Sequence, residues 1–213
     1  MNIILFGPQG SGKGTQARLL CDKFGFSYFE SGAYLRKLSD THEEMKLIMN
    51  SGKLVPDEEF TSYLTAYLDQ ENLYDDIIFD GFPRTLEQYK FLKVWLNQKQ
   101  VKINLAIVLE INEEETLKRL GARRLDPKTG KIYNLVSDLP PSDVDIDTLV
   151  QRDDDKPEAI KKRLALYHER TETLIEGIKK DTNVFRVNGE RSIEDIHNDL
   201  VGIVEEAKKY EQI

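Results

Sequence analysis

Cysteine is nearly missing: Cys21 is the single one in 213 residues. That excludes an intrachain disulfide and a cysteine zinc cluster. Cys21 stands among the apolar positions of a predicted helix, where a small buried hydrophobe is expected rather than a nucleophile. Histidine is almost as scarce, and His42, His168 and His197 lack the spacing of metal ligands or the local signature of a Ser-His-Asp triad. No apolar stretch approaches the roughly 20 residues of a membrane-spanning helix, and the run at residues 3–6 is too short for a signal peptide. Net positive charge is lacking too. With 30 basic against 38 acidic residues the balance is −8, which argues against general binding to nucleic acid or to an anionic membrane. Repeats and low-complexity tracts are absent. The cytoplasm is the expected location, and any anionic ligand must be met by a few focused cations.

What is present is a globular composition, 39% hydrophobic and 32% charged, long enough for one domain with a large core and small inserted lobes. The stretch Gly7-Pro8-Gln9-Gly10-Ser11-Gly12-Lys13-Gly14-Thr15 follows the apolar run Ile3-Ile4-Leu5-Phe6 and precedes an amphipathic segment. Strand, glycine-rich loop and helix in that order form a phosphate-binding loop. Glycines let backbone N–H groups reach a polyphosphate, the helix start adds its positive dipole end, and Lys13 adds a mobile cation. The general pattern places Ser or Thr directly after the lysine to ligate magnesium; here that place is Gly14, and the hydroxyl comes next, at Thr15. The metal is therefore expected to rest on phosphates, waters and an acid elsewhere.

Further apolar runs predict strands at Ser27-Tyr28-Phe29, Ile77-Ile78-Phe79, Leu105 to Leu109, and Val184, Phe185 with Val187. With the first run they make five, separated by helical segments, which implies parallel pairing in a three-layer α/β core. Helical spacing marks Ala17, Leu19, Leu20 and Phe24, ended by Gly25, and a weaker helix reaches Gly52 through Met45, Ile48 and Met49. Others open at Pro56-Asp57, run through Leu86, Tyr89, Phe91, Leu92, Trp95 and Leu96, and start at Glu113, the last closing on Arg119, Arg123 and Arg124. Pro157 restarts regular helix along Ile160, Leu164, Tyr167, Thr171, Leu174 and Ile178, and Ser192 opens a closing helix with Ile193, Ile196, Leu200, Ile203 and Val204 inward. Between them, residues 125–156 break the pattern. From Asp126 to Lys156 there are eight Asp and no Glu against four Lys or Arg. Asp126 to Gly130 is a turn, Ile132-Tyr133 could start a hairpin, and Pro140-Pro141 forbids a helix. A mobile polar surface lobe is expected there.

Asp80 ends the third predicted strand and is followed by Gly81-Phe82-Pro83-Arg84. An acid at such a strand end reaches magnesium directly or through water; the plainer alternative is a carboxylate capping the next turn. The cation beside it favours the metal. Arg36, Arg84, Arg119, Arg123, Arg152 and Arg163 stand at ends or edges of elements. Singly, each reads as a solvated surface residue. Beside a phosphate loop they suggest clamps, because a guanidinium donates two parallel hydrogen bonds to phosphate and so fixes its angle. Such positioning can supply roughly 7–11 kcal/mol of a transfer barrier. Transfer to an acceptor other than water also needs a closing flap, for which the polar lobe between Arg123-Arg124 and Arg152 is the candidate.

With these residues assembled, the chain resembles the adenylate kinase family of nucleoside monophosphate kinases along nearly its full length. The resemblance is carried by Gly7 to Gln16, Ser31-Gly32 with Leu35-Arg36, Gly52 to Val55, Asp80 to Thr85 with Gln88, Arg119 with Arg123-Arg124, Gly130 with Tyr133, and Arg152 to Thr171. It implies a P-loop NTPase fold around a five-stranded parallel sheet, and reversible transfer between MgATP and AMP giving two ADP. It implies a core of 1–29, 56–122 and 156–213, a monophosphate-binding lobe at 30–55 and a long lid at 123–155. By matching position, Gly10, Ser11, Gly12, Lys13, Gly14 and Thr15 would cradle ATP phosphates, with Arg119, Arg123, Ile132, Tyr133 and Arg191 on the ATP side. Ser31, Arg36, Lys53, Leu54, Val55, Gly81, Phe82, Pro83, Arg84 and Gln88 would hold AMP, Gln88 reading the adenine edge. Lys13, Arg84, Arg123, Arg152 and Arg163 would serve the moving phosphoryl group, the last two also facing AMP, and Asp80 would steer magnesium through water. The resemblance further suggests a monomer.

Some positions depart from the family. Ala33 stands where Asp is usual, Glu30-Ser31 replaces a Ser-Thr or Thr-Thr pair, and Asn134 takes the place of a common His. The segment has no cysteines, so no structural zinc is expected; Asp126, Thr129 and Asp147 are the candidates for a hydrogen-bonded substitute. Within the class the rivals are kinases acting on UMP or CMP, or using GTP as donor, and the long insert speaks for AMP. A phosphate-loop switch protein is disfavoured by the lack of an Asn-Lys-x-Asp segment.

Overall fold

The computed structural model describes residues 1–40, 56–136 and 139–211. The helix expected through Met45, Ile48 and Met49, His42, and the predicted ligands Lys53, Leu54 and Val55 lie outside the described residues.

The strands in chain order are β1 (Asn2–Phe6), β2 (Ser27–Glu30), β3 (Ile77–Asp80), β4 (Ile103–Glu110), β5 (Arg123–Leu125), β6 (Ile132–Asn134) and β7 (Asn183–Asn188). The helices are α1 (Lys13–Phe24), α2 (Ser31–Ser39), α3 (Asp57–Gln70), α4 (Leu86–Gln98), α5 (Glu113–Gly121), α6 (Pro157–Leu166), α7 (Thr173–Ile178) and α8 (Ile193–Glu211). Five strands form one sheet in the order β2-β3-β1-β4-β7, and each pairing is parallel. The expected α/β architecture is therefore the observed one.

Alternation along the strands explains the three layers, because successive side chains point to opposite faces. Ile4, Phe6, Phe79, Ala106 and Val108 enter one core with Phe60 and Leu64 of α3, Leu92 and Leu96 of α4, and Leu174 and Ile178 of α7. Ile3, Leu5, Ile78, Leu105, Ile107 and Leu109 enter the other with Ala17 and Leu20 of α1 and Leu200 and Val204 of α8. Strands covered on both faces must be apolar throughout, which is why they read as continuous runs. Burying each such side chain contributes about 1.5–3 kcal/mol.

Local signals set several boundaries. Gly25 ends α1 in the left-handed region at φ 76°, its N–H bonding the Cys21 carbonyl. Asn112 caps α5 by accepting from Glu115 N, and Ser192 and Asp195 form a reciprocal cap at the start of α8. Three expectations fail in part. Arg123 and Arg124 are not the end of α5 but the start of strand β5. The regular helix from Pro157 gives way to a π-helical turn at Tyr167–Glu172 before α7, which also brings Ile175 inward. Phe91 and Ile193, read as inward, are 36% and 44% exposed.

The polar insert has structure of its own. β5 and β6 pair antiparallel, and Leu125 exchanges both backbone hydrogen bonds with Val150. In the turn between the strands, the Asp126 carboxylate accepts from Lys128 N at 2.8 Å and Thr129 Oγ1 at 2.6 Å. Asp147 does not join them; it is exposed and gives its N–H to Asp145.

Every strand of the large sheet runs the same way, so the carboxyl ends lie along one edge. The phosphate loop, Ser31, Asp80 and Gly189 all follow or end strands there. Parallel α/β sheets bind ligands outside that edge.

Candidate active site

The loop between β1 and α1 needs its glycines. Gly7 has φ 145°, and a Cβ there would come within 2.6 Å of both the Leu109 carbonyl oxygen and Ser11 Oγ. Gly12 caps α1 with φ 92°, a conformation that L side chains rarely adopt. Lys13 Nζ arches back over the loop, donating to the Gly7 carbonyl at 2.8 Å and the Pro8 carbonyl at 2.9 Å. Ser11 Oγ and Gln9 Oε1 are buried without a protein partner. A buried serine hydroxyl free to donate, beside N–H groups at a helix start, fits an anionic, hydrogen-bonding ligand. Thr15 is exposed.

Charged groups from separate segments converge on this loop. Burial pushes the Lys13 pKa down, Arg84, Arg163 and Arg123 push the same way, and Asp80 opposes them. Burial also lowers the pKa of Arg84 against the pull of Asp80, and lowers that of Arg163 to about 10. Each of these groups feels another, so they share one field. Asp80 is 6% exposed at the end of β3. Burial pushes its pKa up, Lys13 and a 2.9 Å hydrogen bond from Tyr28 Oη to Oδ2 pull it down, and the net direction is upward. Burial and the neighbouring Asp80 and Glu30 charges drive the Tyr28 pKa far up, so its hydroxyl remains a neutral donor.

Three of the predicted arginines are held by two adjacent aspartates. Arg123 grips Asp155 through Nε at 2.8 Å and Nη2 at 2.5 Å. Asp154 Oδ2 accepts from Arg152 Nη2 at 2.9 Å and from Arg163 Nη1 at 2.5 Å. Burial works against the Asp154 carboxylate, yet Arg163, Arg152 and Arg123 hold its pKa below the usual range. The guanidiniums are thus positioned before any phosphate arrives, a form of preorganisation.

On the side toward α2, Ser31 Oγ is buried and unpartnered, and a Cβ on Gly81 (φ 75°) would stand 2.6 Å from it. Arg36 is paired with Glu30 at 3.1 Å. Arg84 Nε donates to the Gly81 carbonyl at 2.6 Å, and Phe82 beside it is buried, with Pro83 between them. Gln88 is buried with both ends of its amide engaged: Oε1 accepts from Arg84 N and Nε2 donates to Asp57 Oδ1, each at 2.7 Å. On the other side, Arg119 is pinned by Glu115 at 2.7 Å and donates to the carbonyls of Gly10 at 3.3 Å and Gly189 at 2.9 Å. Tyr133 is buried on β6 with Ile132 half-buried beside it, and Asn134 Nδ2 bonds the Arg119 carbonyl. Arg191 donates to Asp199 and to the Asn188 carbonyl.

The parts that five residues play here escape a reading of the chain alone: Tyr28, Asp57 and Glu115, and Asp154 with Asp155 as anchors of the arginines. The run Asp153-Asp154-Asp155 beside Arg152 is the one local hint. Among the described residues no group of three or more His, Cys, Asp or Glu could hold a metal ion by itself. The buried Asp80 carboxylate, beside Lys13 and Arg84 at the phosphate loop, fits a metal that arrives on phosphates.

The sequence model of one family, described as adenylate kinase, matches residues 5–183. The chain is 36% identical over 217 residues to a protein named adenylate kinase from Petrotoga mobilis, covering 98% of this chain and 100% of the relative. It is 36% identical over 216 residues to another of that name from Archaeoglobus fulgidus, with the same coverage. To one from Pyrococcus furiosus it is 35% identical over 204 residues, 92% of each chain.

Proposed function

Because this chain belongs to the adenylate kinase family and so interconverts ATP and AMP with two ADP, we propose that the transfer runs over the cationic cradle at the carboxyl edge of its sheet. The convergence of Arg84, Arg123 and Arg163 on Lys13, with the Asp80 charge felt by both Lys13 and Arg84, carries this proposal. The loop from Gly10 to Thr15 holds the ATP phosphates, with Arg119 against the ATP base and Tyr133 on the ATP side. Ser31, Arg36, Arg84 and Gln88 hold AMP on the opposite side.

An AMP phosphate oxygen forms the new bond to the γ-phosphorus of ATP as the bond to the β–γ bridging oxygen breaks. Charge spreads over the moving non-bridging oxygens in such a loose transition state. Lys13, Arg84, Arg123, Arg152 and Arg163 match that charge as it shifts. Magnesium carried by ATP adds neutralising charge, and Asp80, through water, together with the phosphates would hold it. The lobe at 123–155 closes over the site and keeps water from competing as acceptor; the lobe at 30–55 and the core at 1–29, 56–122 and 156–213 complete the division of the chain. We place the protein in the cytoplasm as a monomer, without nucleic-acid or membrane partners and without structural zinc.

A coupled assay for ADP formed from MgATP plus AMP tests the assignment, run on the natural chain and on Lys13→Met. The expected result is robust turnover that falls at least about a hundred-fold in the variant, comparable to loss of one preorganised charge-stabilising group. Equal turnover in both would remove Lys13 from the transfer.

A further inference from the structure

We propose that the Tyr28 hydroxyl takes the place of the hydroxyl that the phosphate loop lacks, and acts as a positioning group for the magnesium of bound ATP. The inference rests on the proposed metal role of Asp80. Phosphate loops generally carry Ser or Thr directly after the lysine, with its oxygen on the metal. Here Gly14 holds that place, and Thr15 beyond it is exposed.

Among the described residues, a Cβ built on Gly14 would meet Tyr28 Oη first, at 3.3 Å, and Arg18 Nη1 after it at 3.8 Å. The same hydroxyl donates to Asp80 Oδ2 at 2.9 Å. One oxygen therefore stands where a side chain at the position after the loop lysine would reach, and it donates to the acid at the end of β3. The route is built by the sheet: β2 and β3 are parallel with Tyr28 beside Ile78 and Glu30 beside Asp80. The Arg18 guanidinium, 5.8 Å from the ring centroid, covers the ring from α1.

The chemistry matches as well as the position. A phenol has one proton and two acceptor lone pairs. The O–H donates to Asp80, which leaves the lone pairs to accept from a water. Magnesium retains several waters and takes few protein ligands beside substrate phosphates. Partners of this outer kind tune metal affinity by roughly 10–100-fold. Position 14 and the Tyr28 hydroxyl then become alternatives: a serine at 14 is crowded while that hydroxyl is present and is accommodated when it is gone.

Calorimetric titration of the full chain with ATP, in magnesium and in chelator, reads the gain in affinity that the metal confers. Tyr28→Phe is expected to lose about ten-fold of that gain, with affinities for metal-free ATP and for AMP unchanged. Tyr28→Phe with Gly14→Ser is expected to recover most of it. Gly14→Ser alone is expected to lower the melting temperature, and Tyr28→Phe to relieve that loss, which tests the exclusion without any ligand. An unchanged metal gain in Tyr28→Phe beside a collapsed one in Asp80→Asn overturns the assignment of Tyr28 alone. An unchanged gain in Asp80→Asn overturns the metal role of Asp80 and this inference with it. Equal weakening of metal-free and metal-bound ATP, or a double variant no better than Tyr28→Phe, reduces Tyr28 to a packing residue.

Discussion

Arg123 and Asp155 are joined by two parallel hydrogen bonds, of 2.8 Å and 2.5 Å, with the Asp155 side chain 0% exposed and that of Arg123 18%. A pair so enclosed is strongly destabilised when one partner loses its charge, by about 3–5 kcal/mol. Asp155→Asn is therefore expected to lose stability near the lower end of that range, since the amide oxygen still accepts one bond. Urea unfolding measures it, and a loss below about 1 kcal/mol would show the pair to be solvent-screened as surface pairs are.

Acid should weaken the fold through the neighbouring carboxylate. Asp154 has a pKa below its ordinary 3.8 because Arg163, Arg152 and Arg123 outweigh its burial. The folded protein then binds fewer protons at this group than the unfolded chain does, so stability rises with pH across that window. The contribution is complete above the unfolded value and is lost as pH falls through the lower folded one. Urea midpoints followed through the carboxylate range should drop in the natural protein and drop less in Asp154→Asn. Parallel curves for the two proteins would exclude Asp154 as a source of the acid limb.

Glu30 occupies Arg36, the cation proposed for the AMP phosphate. Their pair at 3.1 Å is partly exposed, 42% on the arginine and 28% on the glutamate, and such pairs are worth about 0.2–1 kcal/mol. Glu30→Gln should release Arg36 and lower the KM for AMP by a factor of about 1.4 to 5, the equivalent of that energy, with kcat little changed. Initial rates across AMP concentration decide it, and a raised KM would mean that Glu30 orients Arg36 rather than occupying it.

Removing the polar lobe should let water in. Leu125 and Val150 already exchange backbone hydrogen bonds at 2.8 Å and 2.9 Å, so deletion of 126–150 leaves Leu125 and Gln151 one residue from a bonded pair. The ratio of ATP hydrolysis to transfer onto AMP is expected to rise in the deleted protein. A ratio equal to that of the intact chain would deny the lobe a part in excluding water.

What the chain reveals unaided is what depends on near neighbours. Ile3 to Phe6 and Leu105 to Leu109 read as buried parallel strands because a strand covered on both faces is apolar at every position. The loop from Gly7 to Thr15 is equally plain, since its geometry is set by glycines within one turn of Lys13. The helix from Pro157 shows the limit of such local reading. Its apolar spacing suits a regular helix, and the π turn at Tyr167–Glu172 appears only in the folded chain.

The sequence by itself determined the sheet, its phosphate loop and the set of arginines available to a moving phosphate, because periodicity and glycine placement act over a few residues. Only the tertiary structure decided which acid restrains which cation. Asp155 lies 32 residues from Arg123, and Tyr28 lies 52 from Asp80. The parallel pairing of β2 with β3 sets where the Tyr28 hydroxyl falls, next to Gly14 and on Asp80. Hydrogen bonds reach only about 3 Å, so partners that far apart in the chain are chosen by how the strands and helices pack and not by anything written beside them.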